Sequence, residues 1–332
     1  MNPYALIDLH LHLDGSLSLE SVRELAAMQN MEVERNDRAL LTRLQVNPDC
    51  RDLNEYLEKF AFPCSLLQTA EALTKCVSNL RRELAQQGLL YAEIRFAPQL
   101  HTLCGLTQAQ VVQAAVKGLE VHPFRANLIL CCMRGDGNHR ENLETVEITP
   151  RFLGKGVCAV DLAGAEALFP TENFRELFKL VEEKNIPCTI HAGEACGPES
   201  VWKALEFGAR RIGHGVRSLE NPDLVRHLAE RGVTLELCPT SNLNTCIFEK
   251  IGDYPLLQLM EAGVAVTVNT DNMTVSGTTL REEYRALRRL GLTTQQLETL
   301  ACNAADAAFV TPAQAKQLKA EIAHRFTTWL NG

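Results

Sequence analysis

Short apolar runs alternate with amphipathic stretches along most of the chain. The runs, rich in Val, Ile and Leu, predict strands at Ala5–His10, Leu90–Ala97, Ala126–Met133, Val157–Leu162, Pro187–Ala192, Arg211–His214, Thr234–Cys238 and Val264–Thr270. Helical spacing predicts helices over Ala70–Gln87, Phe174–Lys184, Glu199–Phe207, Pro222–Arg231 and Tyr254–Ala262, and Gly88, Gly208, Gly232 and Gly263 mark their exits. Strands alternating with crossover helices imply a parallel sheet of the α/β class, and eight of them close a (β/α)8 barrel. A chain of 332 residues fits one such domain over 1–332. Residues 48–69, which carry Tyr56, Phe60, Phe62, Leu66 and Leu67, exceed a plain barrel loop and read either as a lid over the barrel mouth or as an extra packing helix.

The first strand adds chemistry to this pattern. Side chains alternate between the two faces of a strand, so Asp8, His10, His12 and Asp14 share one face, while Ala5, Ile7, Leu9, Leu11 and Leu13 make the other apolar. Two imidazoles about 6.5–7 Å apart along one face can converge on one metal ion. The same pair also suits an edge strand with a solvated polar face.

Composition narrows the partners. A net charge of −8 argues against a nucleic-acid or anionic-membrane surface. Neither a signal-peptide pattern nor an apolar stretch of the ~20 residues that span a bilayer is visible. The twelve cysteines are scattered without a CxxC pair, which reads as reduced thiols in a cytoplasmic protein.

Polar residues collect where predicted strands end: His10, His12 and Asp14; Asp161 and Glu166; His191 and Glu194; His214; Asn269, Asp271 and Asn272. In a barrel all these ends lie on one face, where catalytic groups are placed. His10, His12, His191 and Asp271 offer the N and O ligands that suit one Zn2+ per chain, with a further position for water. Binding lowers the pKa of that water from ~16 toward ~7. His214, between glycines that leave space, is a candidate general base, and Glu194 is placed to reach a substrate without binding the metal.

Together these segments resemble the adenosine deaminase family of zinc aminohydrolases. The matching text is Asp8-Leu-His10-Leu-His12-Leu-Asp14-Gly15, Glu93-Ile-Arg95-Phe96-Ala-Pro98, Asp161-Leu-Ala-Gly164-Ala-Glu166, His191-Ala-Gly-Glu194, Arg211-Ile-Gly-His214-Gly215, Cys238-Pro-Thr-Ser-Asn242 and Asn269-Thr-Asp271-Asn272, in family order from residue 6 to about residue 310. The resemblance implies a (β/α)8 barrel with zinc on His10, His12, His191 and Asp271. It further implies hydrolytic deamination of adenosine, and of 2′-deoxyadenosine, to the inosine product and ammonia by hydroxide attack on purine C6. Glu194 would protonate N1, and His214 would orient and deprotonate the water. Gly164 would offer its N–H to N3, Asp14 would bind the ribose 5′-hydroxyl, and His12 would also face substrate. One position departs from the family pattern: many members carry a second Asp where this chain has Asn272. N7 only accepts hydrogen bonds, and an amide donates without needing a shifted pKa, so Asn272 is expected to be the N7 contact.

The implied partner is a small purine nucleoside, with no nucleic acid and no membrane; the oligomeric state is open, a monomer included. Free adenine and N6-substituted adenine nucleosides or nucleotides are the nearest rival substrates. Two-metal hydrolysis and a metal-free binding scaffold are more distant rivals. His139-Arg140-Glu141 matches half of another zinc-deaminase motif, but no P-C-x-x-C completes it. Gly135-Asp136-Gly137 lacks the third glycine of a dinucleotide site.

Overall fold

The computed structural model describes residues 5–330, with side chains to Phe326; residues 1–4, 331 and 332, the ends of the domain expected over 1–332, lie outside the described residues. Its strands are β1 (Ile7–His12), β2 (Tyr91–Phe96), β3 (Ala126–Met133), β4 (Val157–Ala163), β5 (Thr189–Ala192), β6 (Arg211–His214), β7 (Thr234–Leu237) and β8 (Ala265–Val268). They form two four-stranded parallel sheets, ordered β1-β2-β3-β4 and β5-β6-β7-β8. Single parallel bridges, Val160 to Cys188 and Leu11 to Asp271, join the sheet edges, so the strands run round a (β/α)8 barrel in chain order.

Five helices separate β1 from β2: α1 (Leu19–Met28), α2 (Asp37–Leu44), α3 (Leu53–Leu57), α4 (Ala61–Ser65) and α5 (Ala70–Gln87). Each of the next strand pairs is linked through one helix: α6 (Gln108–Glu120), α7 (His139–Ile148), α8 (Arg175–Glu183), α9 (Pro198–Glu206) and α10 (Pro222–Arg231). Two short ones, α11 (Pro239–Asn244) and α12 (Leu256–Glu261), precede β8, and α13 (Met273–Ser276), α14 (Leu280–Arg289), α15 (Thr294–Ala307) and α16 (Pro312–Leu330) follow it. No described helix is long and apolar enough to cross a membrane.

Where the sequence pattern is strongest, structure and expectation coincide: α5 starts on the Thr69 hydroxyl, which accepts from the Ala72 N–H, and stops at Gly88, whose φ of +82° is left-handed. The first strand is displaced by two residues from its expected span. Beyond His10 it continues because the His12 N–H donates to the Asp271 carbonyl (2.7 Å) and the Asp271 N–H to the His10 carbonyl (2.8 Å). Those bonds cross from β1 to the end of β8, which apolar alternation near residue 10 does not register. The four helices after β8 were not among those the pattern picked out, although α14 has a strongly one-sided apolar face in Leu280, Tyr284 and Leu287.

Ile7, Leu9, Leu11 and Leu13 are fully buried in one continuous core with Val22, Leu25, Leu73, Val77 and Leu84 from the surrounding helices. The barrel interior is ionic instead: Asp8, His10, Glu93, Arg95, Asp161 and Glu236 are all fully buried there. Residues 48–69 pack in two places. Leu66 and Leu67 join the main core, while Tyr56 packs in a small separate cluster with Cys50 and Val275 and, like Phe60, reaches the cavity at the barrel mouth.

Candidate active site

A cavity of about 280 Å³ lies over the carboxyl ends of the strands, walled by Leu57, Phe60, Leu100 and Met133 on its apolar side. His12, Asp14, Gly164, His191, Glu194, His214, Asp271 and Asn272 line it as well; His10 alone of the expected site residues sits behind the wall, fully buried. Two of these residues, His214 (φ 60°) and Asp271 (φ 59°), hold left-handed backbone that β-strand chemistry does not favour. Such strain persists only where surrounding contacts over-determine it, as at functional sites.

The donor atoms of His10, His12, His191 and Asp271 lie within 4.8 Å of one another. His12 Nε2 is 3.3 Å from His191 Nε2, and both His10 Nε2 and His12 Nε2 are 3.4 Å from Asp271 Oδ1. Outer partners select the tautomers. His10 Nδ1 donates to Glu236 Oε2 (2.8 Å) and His191 Nδ1 to Asp161 (2.9 Å to Oδ2), so each ring turns an Nε2 lone pair toward the cluster. His10 Nε2 is buried with no hydrogen-bond partner among the described residues. Three aimed imidazoles and a carboxylate, one donor otherwise orphaned, fit a divalent ion of the borderline-soft kind.

Below the cluster runs a buried ionic chain. Arg95 donates to Asp161 (2.9 Å) and to Glu236 (2.8 Å); Arg211 Nε donates to Glu236 (2.6 Å), and its Nη2 lies 2.7 Å from Glu93. Burial would raise Asp161, but His191 and Arg95 outweigh it and hold the carboxyl below its usual range. Gly213, on β6 between the two rings, allows their close approach: a Cβ there would stand a tight 3.1 Å from His10 Cε1 and 3.2 Å from His191 Cα.

Glu194 and His214 face each other, Oε2 to Nε2, at 3.6 Å. Asn242 Nδ2 donates to Glu194 Oε1 (3.2 Å) and lies 3.1 Å from His214 Nδ1. Burial, reinforced by the charges of Asp271 and Glu166, pushes Glu194 well above the ordinary carboxyl range. Burial and the neighbouring His10 bring His214 down to about 3. Burial thus favours the protonated form of Glu194 and the uncharged form of His214. Glu166 fixes the loop that carries Glu194: its carboxylate accepts N–H bonds from Gly193 (2.8 Å), Glu194 (3.0 Å), Ala195 (2.7 Å) and Cys196 (2.9 Å). Asp271 is oriented by the Ser241 hydroxyl, which donates to Oδ2 at 2.6 Å.

Sequence reasoning assigns no role to Glu236, Ser241, Asn242 or Glu166. A signal existed for Glu236, an acid at an inward position of an otherwise apolar strand, and for Glu166 and Asn242, which stand in matching segments. The rival motif at His139-Arg140-Glu141 opens α7 with His139 exposed, and none of its residues lines the cavity.

A profile of the adenosine deaminase family matches residues 5–325. The chain is 47% identical to an adenosine deaminase of Haemophilus ducreyi, covering 97% of each, and 38% identical to one of Enterococcus faecalis, covering 95% of each. Among solved structures it resembles an adenine deaminase of Arthrobacter aurescens, with a TM-score of 0.86 and 26% identity over 99% of this chain and 100% of that one. With strand order, cavity and polar cluster placed as described and the profile spanning nearly every residue, the chain belongs to the adenosine deaminase family.

Proposed function

We propose that this chain hydrolyses adenosine, and 2′-deoxyadenosine, to the inosine product and ammonia with one zinc ion on His10, His12, His191 and Asp271. The observation that carries this reading is the buried three-histidine, one-aspartate cluster with Glu194 and His214 at the same cavity. When bound, the ion supplies a Lewis acid that makes a water acidic enough to lose a proton near neutral pH. A second group, His10, His214 and Cys238, shares His10, whose Nδ1 is already taken by Glu236; one ring nitrogen serves one ion, which supports a single metal per chain.

The protein's own groups move the protons. Glu194, kept protonated by burial, gives its proton to purine N1 and so makes C6 electrophilic. His214, uncharged, takes one proton from the water as its oxygen bonds to C6. In the tetrahedral adduct the new hydroxyl returns a proton to Glu194 as the C6 carbonyl forms. The proton held on His214 leaves with the amino group as ammonia, and both residues are restored. Asp271 and His12 flank the attacking water, Gly164 donates its N–H to N3, and Asn272 donates to N7. Asp14 accepts from the ribose 5′-hydroxyl; its Oδ1 is buried without a partner among the described residues, which supports a nucleoside over a free base.

The chain acts as one domain in which residues 48–69 form a lid, supported by the small cluster around Tyr56 that is separate from the main core. Twelve free thiols support a reducing, cytoplasmic setting. An ultraviolet assay of adenosine, adenine, AMP and N6-methyladenosine tests the reading: adenosine is expected to be the best substrate, and Glu194→Gln to lower kcat by about 10²–10⁴-fold. Normal turnover in that variant would remove Glu194 as the acid, and a preference for adenine would remove the nucleoside reading.

A further inference from the structure

Asp14 opens the turn that follows β1, and its two carboxylate oxygens have different fates. Oδ2 accepts a hydrogen bond from the Cys64 thiol at 3.4 Å, whereas Oδ1 is buried with no partner among the described residues. The residue lines the cavity and is only 5% exposed. Cys64 belongs to α4, in the segment between β1 and α5, and its own backbone is held in turn. Gln68 Nε2 donates to the Cys64 carbonyl (2.8 Å) and to the Leu100 carbonyl (2.9 Å), and Gln68 Oε1 accepts from the Leu103 N–H (3.0 Å). A line of contacts thus runs from the loop after β2, through Gln68 and Cys64, to the Asp14 carboxylate.

We propose that Cys64 is a positioning residue for nucleoside recognition: its thiol holds Asp14 Oδ2, which turns Oδ1 toward the 5′-hydroxyl of the bound ribose. The proposal rests on the reading of Asp14 as the 5′-hydroxyl contact. A carboxylate pinned through one oxygen keeps a single orientation, so the entropy of fixing it is not lost when substrate binds. Cys64 is neither among the side chains lining the cavity nor part of the His10, His12, His191 and Asp271 cluster, so its contribution is to substrate affinity and not to the chemical step.

The test compares kcat/KM for adenosine and for 5′-deoxyadenosine, which lacks the hydroxyl, in the wild type and in C64A, C64V, C64S, D14N and D14A. The adenosine preference is expected to fall about 3–10-fold in C64A and C64V, through KM, as befits loss of one hydrogen bond. C64S, which keeps a donor, should restore it. If C64V retains the wild-type preference while C64A loses it, packing and not the thiol hydrogen bond holds Asp14, and the proposal is overturned. It is equally overturned if D14N removes the preference and neither C64A nor C64V changes it. Should D14A, which removes both oxygens, leave the preference intact, the 5′-hydroxyl assignment falls, a failure distinguishable from that of Cys64.

Discussion

Glu236 touches no substrate-facing surface, yet His10, Arg95, Arg211 and the Thr189 hydroxyl all converge on its carboxylate. It fixes the His10 tautomer and neutralises two buried guanidinium groups at once. Glu236→Gln keeps the shape and removes the charge, so the arginines are left with Glu93 and Asp161 alone. Breaking such a buried pair is expected to destabilise the fold by about 3–5 kcal/mol, and loosening the histidine to weaken metal binding about 10–100-fold. Denaturant unfolding and chelator competition measure the two effects separately; unchanged metal affinity would show that the Glu236 bond does not orient His10. This residue also marks the limit of what sequence reveals. The alternation Thr-Leu-Glu-Leu aims Glu236 inward, but its partners Arg95 and His10 are 141 and 226 positions away, and only barrel curvature decides which charges meet. The convergence of His10, His12, His191 and Asp271 was legible because all four stand in or just past the carboxyl-end halves of strands, which a barrel brings to one side. The second layer was not, because it lies inside the barrel where distance in sequence carries no information.

The loop between β5 and α9 is shaped by a side chain from another element. Glu166, three residues past β4, gathers four consecutive N–H groups and the Ser200 hydroxyl around one carboxylate. Consecutive backbone donors converging on an anion make a rigid concavity, and Glu194 projects from it. In Glu166→Gln an amide NH2 must face N–H donors, leaving at least one buried donor unpaired at about 1–3 kcal/mol. The loop then no longer holds Glu194 at one place, and kcat should fall by about 10–100-fold with little change in metal content, since a 1 Å displacement alone has that effect. Steady-state kinetics beside metal analysis tests this, and a loss of metal equal to the loss of rate would refute the loop account. Elements with their own signal, such as α5 with its cap and terminal glycine, were legible to the residue. Short ones were not: α3 and α4 hold five residues each, too few for a helical period to show, and tertiary contacts through Tyr56 and Leu66 decide their place.

The helices that follow the last strand pack against β8 and β1, and one buried carboxyl among them is expected to give the molecule a pH dependence. Glu283 on α14 is 1% exposed; its Oε1 accepts from the Thr278 hydroxyl (2.6 Å) and its Oε2 from the Thr240 N–H (3.2 Å). It thereby ties α14 to α11, the helix that presents Ser241 and Asn242 to the site. Burial, against the pull of those two hydrogen bonds, raises its pKa from 4.5 to about 7. A carboxyl whose pKa is higher folded than unfolded holds its proton in the native state where the unfolded chain has released it. Its linkage to stability therefore runs opposite to that of a salt-bridged acid: the native state loses stability as pH rises from 4.5 to about 7, and the loss is complete above that. A shift of that size corresponds to at most about 3 kcal/mol. Glu283→Gln carries no charge at any pH and can still accept from the Thr240 N–H. It is expected to match or trail the wild type near pH 4.5 and to exceed it at pH 8, flattening the curve between. Urea unfolding of both proteins across that range, with metal present throughout, decides the point; parallel curves would mean that Glu283 is ionised in the folded protein and that its two hydrogen bonds outweigh its burial.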